Sequence, residues 1–315
     1  MKAIRFHQYG DADVLRLEDV DLPVPGAGQV RVRVAGTSFN GVDANIRAGN
    51  MQGPMPLELP HVPGLDVAGT VDALGEDVEG LAVGDRVVGF LAFTVDGAAA
   101  EHVVVDATSL AAAPTSVPLS DAAALPLVGL TAWQALVEHA GLAAGQRILV
   151  NGASGAVGLY AVQLARSLGA HVVATGSVGQ RARLLERGAD EVVDHTAADV
   201  AAVVTQPVEV LLNLAPVEPA QLAALASRVA DGGVVVNTTV WMPAPSDEAR
   251  GVRGIDLYVR SDADQLAGLV GRVDRGELVV DVAERVALAD LPSVHARAAT
   301  GGLAGKVVVV VDDRA

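Results

Sequence analysis

Gly152, Gly155 and Gly158 recur at every third position directly after the aliphatic run Ile148-Leu149-Val150. Val157, Ala161, Leu164 and Leu168 then fall on one face at helical spacing. Strand, glycine turn and helix in that order could hold a diphosphate. The anion rests on a helix N-terminus, and a Cβ at the turn would keep it away from the backbone N–H groups. Ser154, Gly155, Ala156 and Val157 are the candidate contacts, while Gly158 would let the helix pack closely on the strand. The same glycines also suit an ordinary tight strand-to-helix turn, and it is the flanking elements that favour the phosphate reading. About 20 residues beyond such a turn an NAD-selective site carries an acid for the ribose hydroxyls. Here Gly176 and Ser177 stand there, with Arg181 and Arg183 following. A hydroxyl and a guanidinium suit a 2′-phosphate through charge-assisted hydrogen bonds, so NADPH is the expected coenzyme. Both arginines read equally as solvated charges on a surface helix. Ser154 lies in GASGA, which misses the second glycine of a hydrolase nucleophile elbow.

The elements that would position these residues alternate from Gln146 onward. Strands are expected near 147–151, 171–175, 191–194, 208–213 and 233–238, with helices between them and a sixth strand at Asp256–Val259. That is the count of a doubly wound, six-stranded parallel Rossmann sheet of the α/β class. The first third differs: Lys2–Phe6, Leu15–Val20, Val30–Ala35 and Asp66–Ala73 read as short strands, and Asp43–Ala48 as one or two helical turns. Two helices begin near Leu119. After one more helix from about Ala263, strands are expected near 278–287 and 306–311. The pattern thus separates a β-rich first portion from a dinucleotide-binding portion, at a change of texture near Leu119.

Composition narrows the classes further. The 315 residues are 51% hydrophobic but only 3% aromatic, so small aliphatic residues must build the interior, as in parallel α/β proteins. A net charge of −16, with Lys2 and Lys306 the only lysines, argues against nucleic acid as a partner. No run reaches membrane-spanning length, and MKAIRFHQYG lacks a signal-peptide apolar region, so a soluble cytoplasmic protein is expected. Without cysteine there are no disulfides, thiolate nucleophiles or cysteine-bound zinc.

The whole chain resembles the medium-chain dehydrogenase/reductase superfamily, and within it the zinc-independent, zeta-crystallin-like quinone oxidoreductases. The resemblance rests on FNGVD, HVPGLDVAG, GDRVVGF, ALPLVGLTAWQAL, RILVNGASGAVG, GADEVVDH and GKVVVV, which arrive in family order. It implies a β-rich, GroES-like catalytic domain formed by residues 1–121 together with the C-terminal residues 256–315, a Rossmann domain of residues 122–255, an active site between them, and a homodimer joined sheet edge to sheet edge, for which the strand around Gly233–Asn237 is the candidate. The family's zinc enzymes use a Cys and a His where Asn40 and Leu65 stand here, so no metal is expected. The seven histidines show no ligand spacing.

By resemblance, Asn40 or Asn45 would polarise a substrate carbonyl and Thr131 would reach the nicotinamide carboxamide. Asn40 suits a turn equally well, and Thr131 a helix cap or back-bonded position. His195 stands where relatives carry a Tyr beside the adenosine phosphate, and it also suits a surface loop. Asn213 and Thr238 end the fourth and fifth strands on the edge where nucleotides bind. Asn213 replaces the usual Asp, Ala99 a common aromatic, Asn45 a common Lys or Tyr, and His102 a common Tyr. The lost aromatics imply either a roomier substrate pocket or decay of the redox function. The expected function is a zinc-free, NADPH-dependent reductase passing hydride to a quinone or an enone/enoyl small molecule. Two alternatives share the fold: a non-redox cyclase or isomerase of a biosynthetic pathway, and a cofactor-binding structural or regulatory protein.

Overall fold

The computed structural model describes residues 1–312 except Pro54 and Val240. Chain contacts divide it into two compact units, Met1–Leu127 with Ser261–Ala315, and Val128–Arg260. The breaks fall a few residues after those read from sequence, the first of them inside a helix.

The first unit opens with β1 (Lys2–Arg5) and β2 (Arg16–Asp19), an antiparallel pair. β3 (Gln29–Ser38), α1 (Gly41–Ala48), β4 (Asp66–Leu74), β5 (Arg86–Phe90), β6 (His102–Asp106) and β7 (Leu110–Ala112) follow. β3 organises this unit. Val30, Val32 and Val34 point inward while Arg31 and Arg33 alternate outward, as a two-residue period requires. The arginines pair with Asp72 and Asp312 at 2.8 and 2.9 Å. Antiparallel neighbours β4 and β6 lie on β3, and β4 carries β5, which carries β7. The helical turn expected at Asp43–Ala48 is α1, two residues longer at its start because Asn40 takes up the cap.

α2 (Leu119–Ala122) and α3 (Pro126–Trp133) lead into the second unit. Its elements are β8 (Arg147–Asn151), α4 (Ala156–Ser167), β9 (His171–Thr175), α5 (Arg181–Glu186), β10 (Glu191–Val193), α6 (Val200–Val203), β11 (Val208–Asn213), α7 (Pro219–Ala226), β12 (Val229–Asn237) and β13 (Arg253–Asp256). The strands pair in the order β10-β9-β8-β11-β12-β13, all parallel. That is the doubly wound order expected of a nucleotide-binding sheet. Leu149, Val173, Leu211 and Val235 from the strands meet Leu222 and Leu225 of α7 in its core. α4 is buried continuously over Gly158–Ala165 rather than along one stripe, because Leu159, Tyr160 and Val162 are apolar too.

Two expectations are corrected here. The sixth strand is Arg253–Asp256, and Leu257–Val259 lie beyond it: Asp256 is the residue in register with the end of β12. Gly233–Asn237 is no sheet edge, since β12 has β11 on one side and β13 on the other. The edges are β10 and β13.

The chain then returns to the first unit through α8 (Ala263–Asp274), β14 (Glu284–Ala287), α9 (Leu291–Ala299) and β15 (Val307–Val310). β15 pairs antiparallel with β3 and parallel with β14, so the C-terminal segment completes the N-terminal sheet. The strand expected across 278–287 is confined to its last four residues. Among the described residues, no helix is long and apolar enough to cross a membrane.

Candidate active site

At the carboxyl edge of the parallel sheet, β8 ends in Asn151 and turns through Gly152 into α4. Gly152 takes φ +85°, and a Cβ there would come within 3.1 Å of the Ala215 nitrogen. At Gly158 a Cβ would lie 2.5 Å from Ala153, so the helix start closes directly on its own turn. Gly155 is the N-cap of α4 in extended backbone, with its N–H bonded to the Gly152 carbonyl at 3.1 Å. The next N–H groups, of Ala156, Val157 and Gly158, belong to the first helical turn, which has no intrahelical acceptors for them. Ser154 is exposed beside them, and Ala156 and Val157 are half-buried. These residues fit a diphosphate: bare backbone donors, a positive helix end and no side chain in the way.

The loop after β9 is tight. Gly176 donates to the Val193 carbonyl at 3.1 Å, and a Cβ on it would meet Leu184 at 2.5 Å. Leu184 is fully buried, so a carboxylate at 176 would have to displace a core side chain. Ser177 is half-buried and caps the short turn that leads to Arg181. Arg181 Nη1 donates to the Val192 carbonyl at 2.8 Å, which lays its guanidinium across the end of β10. His195 is exposed in the loop after β10. Sequence reasoning missed its neighbour. Asp194 accepts from Thr196 N and Oγ1 at 2.9 and 2.6 Å and also from the Val178 backbone. Those hydrogen bonds, chiefly from Thr196, hold its pKa below the usual carboxylate value. An acid therefore reaches this loop from the following strand, where a search for one at the end of β9 does not look.

Asn213, a candidate nucleotide contact, ends β11 with every polar atom of its side chain engaged within the sheet edge. It is fully buried, its Oδ1 accepts from Asn151 Nδ2 at 2.8 Å, and its Nδ2 donates to Asn237 Oδ1 and the Ala215 carbonyl. Thr238 is half-buried and bonds the Asn213 carbonyl through both N and Oγ1. Thr131 is buried on α3.

The first unit holds a second cluster, built where α1, β3, β4 and β15 converge. Asp66 on β4 is fully buried. Its carboxylate accepts from Ser38 Oγ, from Asn40 Nδ2 at 2.8 Å, from Lys306 Nζ at 3.3 Å and from Leu127 N at 2.7 Å. Lys306, just before β15, also donates to Asn40 Oδ1 at 2.5 Å and to the Phe39 carbonyl. Burial pulls the Lys306 pKa down, against the attraction of Asp66. Asn40 is 6% exposed and is the cap of α1, with its N–H bonded to Asp43 Oδ2 at 2.9 Å. Its amide has one good bond to Asp66 and a long 3.4 Å contact to the Ser38 carbonyl. Burial, reinforced by the nearby Asp66 charge, pushes the Asp43 carboxyl up to about 7. Asn45 sits inside α1, and its Oδ1 accepts from Asn50 Nδ2, just beyond the helix, at 3.2 Å.

One side-chain expectation changes on this side. Ala99 is fully buried against Ile4, Phe6, Phe39 and Val62, so the missing aromatic is replaced by packed core rather than by open pocket. His102 lies 3.2 Å from Asp72, and burial lowers its pKa. The residues at the family's metal positions do not fit zinc. Leu65 is buried aliphatic, and the group that meets Asn40 and Asp66 is the Lys306 ammonium, which a divalent ion would repel.

A GroES-like β unit joined to a doubly wound nucleotide sheet defines a nicotinamide-dependent oxidoreductase of the medium-chain type. The alcohol dehydrogenase GroES-like domain family matches residues 26–115, and the zinc-binding dehydrogenase family matches residues 187–309. The chain is 32% identical to the quinone oxidoreductase of Sus scrofa, with 96% of each chain covered. Its fold matches that of the Coxiella burnetii quinone oxidoreductase with TM-score 0.89 at 27% identity, over 99% of each chain. It also matches a mycobacterial protein solved in complex with NADPH, with TM-score 0.84 and 29% identity over 98% of this chain and 100% of that one. The chain belongs to the quinone oxidoreductase branch of the medium-chain dehydrogenase/reductase superfamily.

Proposed function

We propose that the chain is a zinc-free reductase that uses NADPH to deliver hydride to a quinone or an α,β-unsaturated carbonyl. The observation that carries the coenzyme choice is the end of β9. Leu184 closes the space an acid would need at Gly176, and Ser177 and Arg181 supply a hydroxyl and a guanidinium. The intact turn at 152–158 and the NADPH complex of a structural neighbour support the same reading. His195, exposed in the next loop, is a further candidate for the adenosine phosphate.

Bound NADPH supplies the hydride, and the residues of the chain bind, orient and polarise. Backbone donors of Ser154, Ala156 and Val157 take the diphosphate over the bare Gly155, and Ser177 with Arg181 takes the 2′-phosphate. Thr131 orients the carboxamide. The amide proton of Asn40 that has only the long contact to Ser38 is the one offered to a substrate oxygen, while Lys306 and Asp66 hold the rest of that side chain in place. Asn45 is the second candidate donor. The proton that follows hydride comes from water, because relatives' phenols are absent from these positions. The enzyme is proposed as a cytoplasmic homodimer, with β10 or β13 as the available sheet edge.

Titrating the purified protein with NADPH and NADH tests the coenzyme choice. Tighter binding of NADPH is expected, and equal or tighter binding of NADH would reject it.

A further inference from the structure

The carboxyl ends of five neighbouring strands, β9, β8, β11, β12 and β13, carry an unbroken row of side-chain hydrogen bonds, and all of them run the same way. Gly152 N–H donates to Thr175 Oγ1 at 2.9 Å, and that hydroxyl donates to Asn151 Oδ1 at 3.1 Å. Asn151 Nδ2 donates to Asn213 Oδ1 at 2.8 Å, and Asn213 Nδ2 to Asn237 Oδ1 at 2.8 Å. Asn237 Nδ2 then reaches Asp256 Oδ1 at 3.2 Å. The row exists because Asn151, Asn213, Asn237 and Asp256 are in register across β8, β11, β12 and β13. Each amide accepts on one side and donates on the other, and a carboxylate terminates the chain. Aligned bonds of this kind polarise one another, and the burial of its three asparagines keeps water from competing.

We propose that this row is a positioning device for the coenzyme site proposed above, and that Asn213 is its central positioning residue. Its start is the first N–H of the glycine turn, and its other bonds reach the loops that frame the same edge. Asn213 holds the Ala215 carbonyl at 3.1 Å, and Asn237 holds the Thr239 and Met242 carbonyls. The direction of the row explains the amide at 213. An ionised carboxylate there would accept from Asn151 but present a second acceptor to Asn237 Oδ1. Asn237 cannot turn to meet it, because its Nδ2 already has three acceptors and its Oδ1 takes the Thr239 hydroxyl at 2.7 Å. A protonated carboxyl, by contrast, accepts on one oxygen and donates on the other, and would complete the row, losing only the bond to the Ala215 carbonyl.

That asymmetry gives a test that rests partly on the coenzyme reading and partly on the apo-protein. In Asn213→Asp, NADP⁺ affinity relative to wild type at the same pH should be closest to unity at about pH 5.5, where the carboxyl is protonated and only the Ala215 bond is missing. It should fall roughly tenfold or more by pH 8.5, the size expected for a lost hydrogen bond with a buried charge left behind. Amide exchange of Gly152 in the nucleotide-free variant should rise over wild type across the same pH range. A space-filling role for Asn213 would change stability with pH but leave both readouts flat in the folded protein, and flat readouts would overturn the proposal. Should that variant fail to fold, Thr175→Val removes the first two bonds of the row, from Gly152 and to Asn151, and leaves the asparagines paired. It should speed Gly152 exchange and weaken NADP⁺ at every pH, and unchanged values would overturn the proposal as well. Wild-type protein that binds no NADP⁺ would retire the coenzyme reading, while Gly152 exchange would still decide whether the row holds the turn.

Discussion

Lys306 closes the polar interior of the first unit, and its energetics follow from having no water to turn to. Removing one member of a buried ion pair leaves the other charged and unsolvated, which costs about 3–5 kcal/mol. Lys306→Met should therefore lower unfolding free energy by that amount in denaturant titrations, and a loss under about 1 kcal/mol would show that Asp66 is satisfied without it. Asp43 titrates in the opposite sense to most carboxylates. Its folded pKa of about 7 lies above the ordinary 3.8, so between those values the native state holds a proton that the unfolded chain has released. Its stabilising contribution is complete below about pH 4 and is lost as pH rises through 7. The stability of wild type relative to Asp43→Asn should accordingly fall from pH 4 to pH 7, and a constant difference would contradict the shift. His295 slopes the other way: burial lowers its pKa to about 3, so its contribution is lost as pH falls from about 6.5. At this scale the sequence was only partly legible. Asn40 was visible as a candidate, but its tie to Lys306 spans 266 positions, and no local pattern announces such a contact.

At the scale of elements, the glycine turn was legible because its chemistry is local: three glycines, a strand before and a helix after. A carboxylate at Gly155 would face the bound diphosphate across a few ångströms, a repulsion of several kcal/mol at an effective dielectric near ~20. Gly155→Asp should therefore abolish coenzyme binding while the sheet still folds, since a Cβ there meets only the Gly152 carbonyl at 3.3 Å. Binding that survives in a folded variant would remove the turn from the site. Arg181→Ala should weaken NADPH roughly tenfold or more and leave NADH nearly unchanged, because a charged hydrogen bond to phosphate is worth about 1.5–3 kcal/mol. Equal weakening of both would show that the guanidinium serves only the Val192 carbonyl. The asparagine row escaped the sequence reading because register across parallel strands is set by crossover helices and turns, not by the strands' own pattern. For the same reason β12 was taken for an edge: its aliphatic run reads alike beside one neighbour or two.

For the whole molecule, the order of short strands followed by strand–helix alternation was enough to name both units. That the C-terminal segment belongs with the first portion was implied by the family resemblance alone, and its pairing of β15 with β3 was not read at all, because sequence proximity says nothing about it. The acidic balance, net −16, matters at this scale. A local cation such as Arg181 has to attract a phosphate against the field of the whole chain, so NADPH affinity should rise as salt screens that field. Elemental analysis of the purified protein should find no stoichiometric zinc, and activity should survive chelation. About one zinc per chain would contradict the place given to Lys306. The most direct measurement is the optical rate of NADPH oxidation over a panel of quinones and enones, run beside NADH. Consumption of NADPH by at least one such acceptor, faster than with NADH, is the predicted result. Turnover of the panel without nicotinamide oxidation, or with NADH preferred throughout, would contradict the account.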